Sequence, residues 1–234
     1  MPIGTGTAAV AAFLKKATAW DAVARNVNVA NAGFYILGDT MPVGVPAYVQ
    51  DESLGSAWET TGDSGNLDVT GDINCDLRYD SMNALLALCF GAAATPAQQS
   101  TSLAYNHVLT LTDTLDGLFG TYCVYDGVAV RECPSLKFNG FELSSQSGQP
   151  VKLRLMGTAS DRIITGQVNP SLAAVTYVPV QPRVMFDDII IRVNTQSGSA
   201  LAASDTFYAS AWTLTFTRPH VYAHVTNGSQ AVTE

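Results

Sequence analysis

Residues 67–80 read LDVTGDINCDLRYD, and apolar and polar positions alternate along the stretch. Apart from Gly71, one set of alternate positions is apolar: Leu67, Val69, Ile73, Cys75, Leu77 and Tyr79. The intervening set is polar and mostly acidic, with Asp68, Asp72 and Asp76 at every fourth residue. A period of two residues is typical of a β-strand with one buried face. The stretch therefore predicts one long strand with a core face and an acidic face.

The three aspartates do not form a metal or catalytic site within one strand. Strand residues four positions apart are separated by about 13 Å, at about 3.3 Å per residue. A single cation with oxygen ligands at about 2.4 Å cannot join such positions. A catalytic carboxylate pair needs roughly 5–10 Å. The acidic face is therefore predicted to contact solvent or to line a pore.

The composition excludes a protein that grips nucleic acid. The 234 residues carry 12 Lys and Arg against 20 Asp and Glu, which gives a formal net charge of −8. Such a chain repels phosphates. Charged residues make up only 14%, against about 25% in ordinary soluble domains. The low charge is consistent with extensive contact with partners, and also with an ordinary Thr- and Ser-rich β protein.

The rest of the chain is predicted to be β-rich, with a single domain over residues 1–234. A short helix over about residues 80–90 follows from apolar residues at helical spacing, with Asp80 as N-cap and Gly91 as C-cap. Residues 1–33 are interpreted as an irregular or partly helical arm, 38–66 as a long loop with a short strand at 47–49, and 220–234 as a tail. Further strands are predicted at 34–37, 107–113, 121–133 (a hairpin turning at Asp126-Gly127), 135–145 (with a bulge at Gly140), 150–157, 187–194 and 210–219.

No catalytic, metal or cofactor site is predicted. GDSG at 62–65 resembles a serine protease nucleophile motif, but all three histidines follow Ser64, so we interpret it as a turn. His220 and His224 are assigned to the surface tail. The cysteines lack CxxC spacing; Cys75 and Cys89 are predicted to be buried thiols, and a Cys123–Cys133 bridge remains open. No apolar run reaches about 18 residues, so no membrane span is expected.

Three stretches together resemble the tail tube (major tail) proteins of long-tailed bacteriophages. They are GNLDVTGDINCDLRYDSMNALLALCFG (65–91), SLKFNGFELSSQSGQPVKLRLMGTA (135–159) and DDIIIRVNTQSGSALAASDTFYASAWTLTFTRP (187–219). Their order and spacing carry the resemblance over about residues 60–219.

The resemblance implies a non-enzymatic virion protein, made in the host cytoplasm, with a β-sandwich or open barrel of antiparallel strands flanked by one helix. Its partners would be further copies of itself, in hexameric rings stacked into a tube, and other tail proteins at the tube ends. DNA would pass through the lumen without sticking. Candidate lumen-facing residues are Asp68, Asp72, Asp76, Lys152 and Arg154. Candidate residues of a loop between rings are Asp51, Glu52, Trp58 and Glu59.

Two alternatives stay open at this point. A head-decoration or tail-terminator protein would form a single ring or trimer that does not stack. A carbohydrate-binding β-sandwich would present exposed aromatics, such as Trp20 and Trp58, as a flat platform.

Overall fold

The computed structural model describes residues 9–16, 19–41, 47–49, 62–80, 82–102, 104–113, 115–177, 182–195, 200–220 and 222–224, with the backbone alone at 47–49 and 62–64. The elements in chain order are β1 (Val10–Lys15), β2 (Gly33–Phe34), β3 (Gly38–Asp39), β4 (Ala47–Val49), β5 (Gly62–Ser64), β6 (Val69–Asp76), α1 (Asn83–Phe90), β7 (Gly91–Ala93), β8 (Ala97–Gln98), β9 (Tyr105–Asn106), β10 (Leu109–Leu111), β11 (Gly120–Tyr125), β12 (Val130–Gln146), β13 (Lys152–Ala159), β14 (Ile191–Arg192), β15 (Thr206–Phe207) and β16 (Ala211–Thr217).

Strand β12 organises the main sheet. Seven strands pair in the antiparallel order β2-β1-β11-β12-β13-β6-β3, and β16 joins β12 as the eighth. One edge of the 17-residue β12 pairs with β13, and the other edge pairs first with β11 and then with β16. The predicted mainly-β fold of antiparallel strands with one helix is confirmed. Within the described residues the sheet does not close into a barrel, which is consistent with a sandwich.

Helix α1 covers one face of this sheet. Leu85, Leu88 and Cys89 are buried against it, and the ring of Phe90 stacks on Phe216 of β16 at 5.1 Å between centroids. The helix ends as predicted at Gly91, where φ is +105° and the N–H donates to the carbonyl of Ala87. The apolar side chains of β6 belong to the same core cluster as those of the helix, so the predicted core face is confirmed for Val69, Ile73 and Cys75.

The start of the helix differs from the prediction. The N-cap position is Met82, and Asp80 lies outside the helix. Residues 77–79 continue in extended form instead, because the N–H groups of Leu77 and Tyr79 donate to the carbonyls of Val151 and Pro182. The prediction that Tyr79 lies on the core face is wrong. Its side chain is 58% exposed, because the strand ends before it.

The interpretation of residues 1–33 as irregular or partly helical is wrong for β1. This strand pairs with β2 on one side and β11 on the other. Its consecutive residues Ala11, Ala12 and Phe13 are all buried, because both faces of the strand are covered. A strand covered on both faces shows no alternation in its sequence, which is why the pattern did not reveal it.

The hairpin of β11 and β12 is confirmed, but its turn is longer than two residues. Tyr125 pairs with Val130, so the loop is 126–129, and the carboxylate of Asp126 accepts from the N–H groups of Val128 and Ala129. Cys133 lies opposite Tyr122, and Cys123 lies opposite Glu132, so the two thiols point to opposite faces of the sheet. The four cysteines are free and buried, and the open question of a bridge is settled against it.

The long loop predicted at 38–66 contains strands at both ends. Residues 38–39 form β3, which pairs with β6, and β4 pairs with β5, so the strand predicted at 47–49 is confirmed. Gly62–Ser64 is therefore a strand and not the turn that we predicted.

Three predicted strands are shorter in the structure than in the prediction. Those at 34–37, 107–113 and 187–194 correspond to β2, β10 and β14, and β14 follows a 3-10 helix at Phe186–Asp188. The bulge at Gly140 and the strand within 210–219 are confirmed.

A buried ion pair ties the sheet edge to its centre. The guanidinium of Arg162 donates to both carboxylate oxygens of Asp39 on β3, at 2.9 and 3.2 Å, and these side chains are only 6% and 5% exposed. The hydroxyl of Tyr122 on β11 donates to the same carboxylate at 3.1 Å. Burial raises the pKa of Tyr122, which therefore stays a neutral donor. Removing either charge would leave the other buried and unpaired.

Replacing Arg162 by Met is expected to lower the free energy of unfolding by about 3–5 kcal/mol, because Asp39 loses its charged partner. The matched control is Arg131→Met, which breaks the exposed pair with Asp126 and is expected to cost about 1 kcal/mol or less. Urea unfolding followed by fluorescence gives both values. Equal losses in the two variants would contradict a structural role for the buried pair.

Gly71 of β6 is needed because another segment crosses it. A Cβ at this position would lie 2.2 Å from the carbonyl oxygen of Thr40. We expect Gly71→Ala to destabilise the protein by about 1–3 kcal/mol, as overpacking usually does. Gly38→Ala is the control, because a Cβ at Gly38 meets nothing within 4 Å. A melting temperature lowered equally in both variants would refute this account.

Candidate channel and assembly surfaces

On the side away from α1, the side chains of β6, β13, β16 and the second half of β12 form one polar surface, which we call the polar face. Paired residues of antiparallel strands point to the same side of a sheet, and the register pairs Asp76 with Lys152, and Asn74 with Arg154. The same rows continue through β12 to β16. The polar face consists of Asp72, Asn74 and Asp76 of β6, Lys152 and Arg154 of β13, Glu142 and Ser144 of β12, and Thr213 and Thr215 of β16.

Four of the five predicted lumen residues lie together on this face, and ion pairs connect them. Arg154 binds Asp72 at 2.8 Å and approaches Glu142 at 3.8 Å. Lys152 binds Asp76 at 2.6 Å. The fifth residue, Asp68, is exposed just before β6 and accepts a hydrogen bond from the Thr70 hydroxyl. The hydrogen bond between Arg154 and Asp72 and the negative charge of Asp72 raise the pKa of Arg154.

The polar face is less acidic than its aspartates alone indicated. Arg183 reaches the second carboxylate oxygen of Asp76 at 2.7 Å, so that this 8%-exposed side chain binds two cations. Together with Asp68 and Arg183, the face has a formal charge of −1, from four carboxylates and three cations. The two pairs of Arg154, whose partners are partly exposed, each stabilise the fold by about 1 kcal/mol or less. The main result of the pairing is a hydrated surface on which the cations already have acidic partners.

Sequence reasoning missed Glu142 and Arg183. Glu142 joins the polar face because the bulge at Gly140 changes the parity of β12, and this signal was available in the sequence. Arg183 lies far along the chain, and only the backbone pairing of residues 77–79 with 182–184 brings it to Asp76. No pattern in the sequence predicts that pairing.

A second surface is apolar and exposed; we call it the apolar patch. It consists of Ile190, Phe207, Tyr208 and Trp212, which line a shallow cavity of about 190 Å³. Tyr208 is 89% exposed. Strand β16, which carries Trp212, pairs only with β12 among the described residues. An exposed apolar patch beside a strand edge is typical of a protein interface.

The candidate residues of the loop between rings lie outside the described residues; they are Asp51, Glu52, Trp58 and Glu59. Trp20, proposed for a carbohydrate platform, is half-buried and packs edge-on against Phe119 at 5.3 Å between centroids.

No group of three or more His, Cys, Asp or Glu in the described part of the chain is placed to hold a metal ion. No helix in the same part is long and apolar enough to cross a membrane.

The comparisons with known proteins agree with the earlier resemblance and extend it. The family model for phage tail tube proteins matches residues 6–231, nearly the whole chain. A comparison with curated proteins gives no match. The family is one of structural virion components that assemble with themselves and with other tail proteins. The chain belongs to the phage tail tube protein family.

Proposed function

We propose that this chain is the repeating subunit of a phage tail tube, in which hexameric rings stack around a lumen that conducts DNA during genome delivery. The observation that carries this proposal is the apolar patch beside β16, whose outer edge is unpaired among the described residues. A strand edge with apolar neighbours pairs readily with another chain. When the next copy around a ring pairs with this edge, the edge is no longer exposed.

The polar face is the proposed lumen wall. Its strand cations Lys152 and Arg154 are held by Asp76, Asp72 and Glu142, so these two side chains are not free to bind phosphates. Nucleic-acid affinity depends mainly on Lys and Arg that neutralise phosphates. A wall of paired charges and hydroxyl groups lets DNA pass without being retained. The acidic chain as a whole repels DNA as well.

The alternatives are less well supported. A carbohydrate platform would need exposed aromatic rings, but Trp20 packs against Phe119, while Trp58 lies outside the described residues. A head-decoration or tail-terminator protein would also form oligomers, and the presence of stacked rings distinguishes the tube from both.

Assembly is tested by placing charge on the apolar patch. Phe207→Glu with Tyr208→Glu is expected to keep the protein dispersed at concentrations where the unaltered chain forms rings, because carboxylates resist burial. Ile164→Glu is the control, because Ile164 is about as exposed as Phe207 but lies outside the patch. Negative-stain microscopy and sedimentation velocity report the outcome. Rings formed by the double variant would refute the assigned interface, and dispersed unaltered protein under every condition would refute the tube itself.

The lumen assignment is tested by reversing charge on the polar face. Virions with Asp68→Lys and Glu142→Lys in this subunit should assemble tubes but eject DNA more slowly, because the added cations bind phosphates. Asp113→Lys with Asp116→Lys changes the net charge equally on exposed positions elsewhere. Ejection kinetics measured at two salt concentrations decide the point. Equal rates in both variants would place the polar face on the outside of the tube.

A further inference from the structure

A groove with two arginines and two stacked tyrosines lies beside the last residues of β6; we call it the arginine groove. Its cavity is about 400 Å³. The lining includes Tyr35, Leu37, Asp76, Arg78, Tyr177 and Arg183. It shares Asp76 and Arg183 with one end of the polar face, but Tyr35, Arg78 and Tyr177 belong to neither the polar face nor the apolar patch.

The groove has the chemistry to bind an acidic and aromatic peptide. The rings of Tyr35 and Tyr177 stack at 4.5 Å between centroids, and the guanidinium of Arg78 lies 4.6 Å from the centre of Tyr35. The side chain of Arg183 is 52% exposed. Because Asp76 also binds Lys152, it does not fully neutralise the guanidinium of Arg183, which it contacts at 2.7 Å. Arginine recognises carboxylates and also packs on aromatic rings.

The chain itself contains a segment of complementary chemistry. Residues 50–61 read QDESLGSAWETT, with three carboxylates and one tryptophan. The segment contains no Lys or Arg, and none occurs anywhere between Arg25 and Arg78. Its charge of −3 and its indole ring match the two features of the arginine groove.

The groove and the two points at which the chain leaves and rejoins the main sheet around this segment lie at opposite ends of β6. The chain leaves for the segment beside Gly71, where the backbone of Thr40 and Met41 crosses the strand, and it returns just before Val69. The arginine groove begins at Asp76, at the other end of the strand. Eight strand residues span about 23 Å. Complementary surfaces at opposite ends of a subunit join copies head to tail, and such heterologous contacts build rings or open filaments.

We propose that residues 50–61 of one copy bind the arginine groove of a second copy and thereby connect successive rings. This inference rests on the proposed function and adds the receptor surface for the contact. The segment's carboxylates pair with Arg183, and Trp58 contacts the tyrosine stack on which Arg78 already packs. Since Arg183 is half-exposed, the contact weakens as salt is added.

A charge swap in the full-length protein tests this contact. Arg183→Glu alone, and Asp51→Arg with Glu52→Arg alone, are each expected to form single rings that do not stack. Mixing the two kinds of ring is expected to restore stacking, since each glutamate-bearing groove meets an arginine-bearing segment and each unaltered groove meets an unaltered segment. Arg192→Glu is the control, because Arg192 is exposed on β14 and is not part of the groove lining. Negative-stain microscopy counts the rings in each particle.

The outcomes separate this inference from the proposed function. If the unaltered protein forms tubes and Arg183→Glu forms tubes of equal length, the inference is wrong and the tube stands. If Arg192→Glu abolishes stacking as well, general charge sensitivity replaces the groove as the explanation. If stacking returns when all three substitutions share one chain but not in the mixture, the segment binds the groove of its own subunit, which also overturns the inference. If the unaltered protein forms no tubes at all, the proposed function fails first.

Discussion

The pairing of strand β12 with three neighbours is the constraint on which the rest of this structure depends. Its first half hydrogen-bonds to β11 and its second half to β16 along one edge, while β13 occupies the other edge. This requires a chain that bends without losing its pairing. Gly140 provides the bend, with φ at +152°. Only glycine fits here, because a Cβ would lie 2.1 Å from the carbonyl oxygen of Phe216. The close approach of β16, and with it the edge assigned to assembly, is therefore possible because residue 140 is glycine.

The bulge also determines which side chains share a surface. It shifts the parity of β12 by one residue, so that Phe138 and Phe141 both face the core and Glu142 joins Lys152 and Arg154 on the polar face. Helix α1 then covers the apolar side, and the rings of Phe90, Phe141 and Phe216 pack where helix and sheet meet. On the opposite side, the part formed by β6, β13, β16 and the second half of β12 remains wet and paired in charge, while a second buried cluster covers β1 and β11. One sheet thus provides a stable core and a candidate channel wall.

Charge is distributed unevenly over this acidic chain. The polar face has a formal charge of only −1, although the whole chain has −8. The one ion pair with both side chains nearly inaccessible among the described residues, Asp39 with Arg162, contributes no surface charge. Much of the excess acidity therefore lies elsewhere, including the segment 50–61 with its three carboxylates. If copies stack through this segment and the arginine groove, as we propose, attraction acts between subunits and only weak interaction acts along the proposed wall.

The sequence by itself determined those parts of the protein in which one face is buried and the other wet. Alternation identified the strands β6, β13 and β16, the parity switch marked the bulge in β12, and helical spacing with a terminal glycine located α1 and its end. It also placed Asp72, Asp76, Lys152 and Arg154 on polar sides of their strands, because strand parity is a local property. The order of three individually weak motifs was sufficient to indicate the family. The match of the family model to residues 6–231 then showed that family.

Only the tertiary structure decided the features that depend on neighbours distant in sequence. Strand β1 is covered on both faces, so its buried residues show no period that distinguishes it from an apolar helix or loop. The start of α1 depends on residues 182–184, which hold 77–79 in extended form. The pairing of Asp76 with both Lys152 and Arg183 depends on register between three segments. Local patterns define the faces of each strand, but the energy that selects their partners comes from contacts that form only when the sheet is assembled.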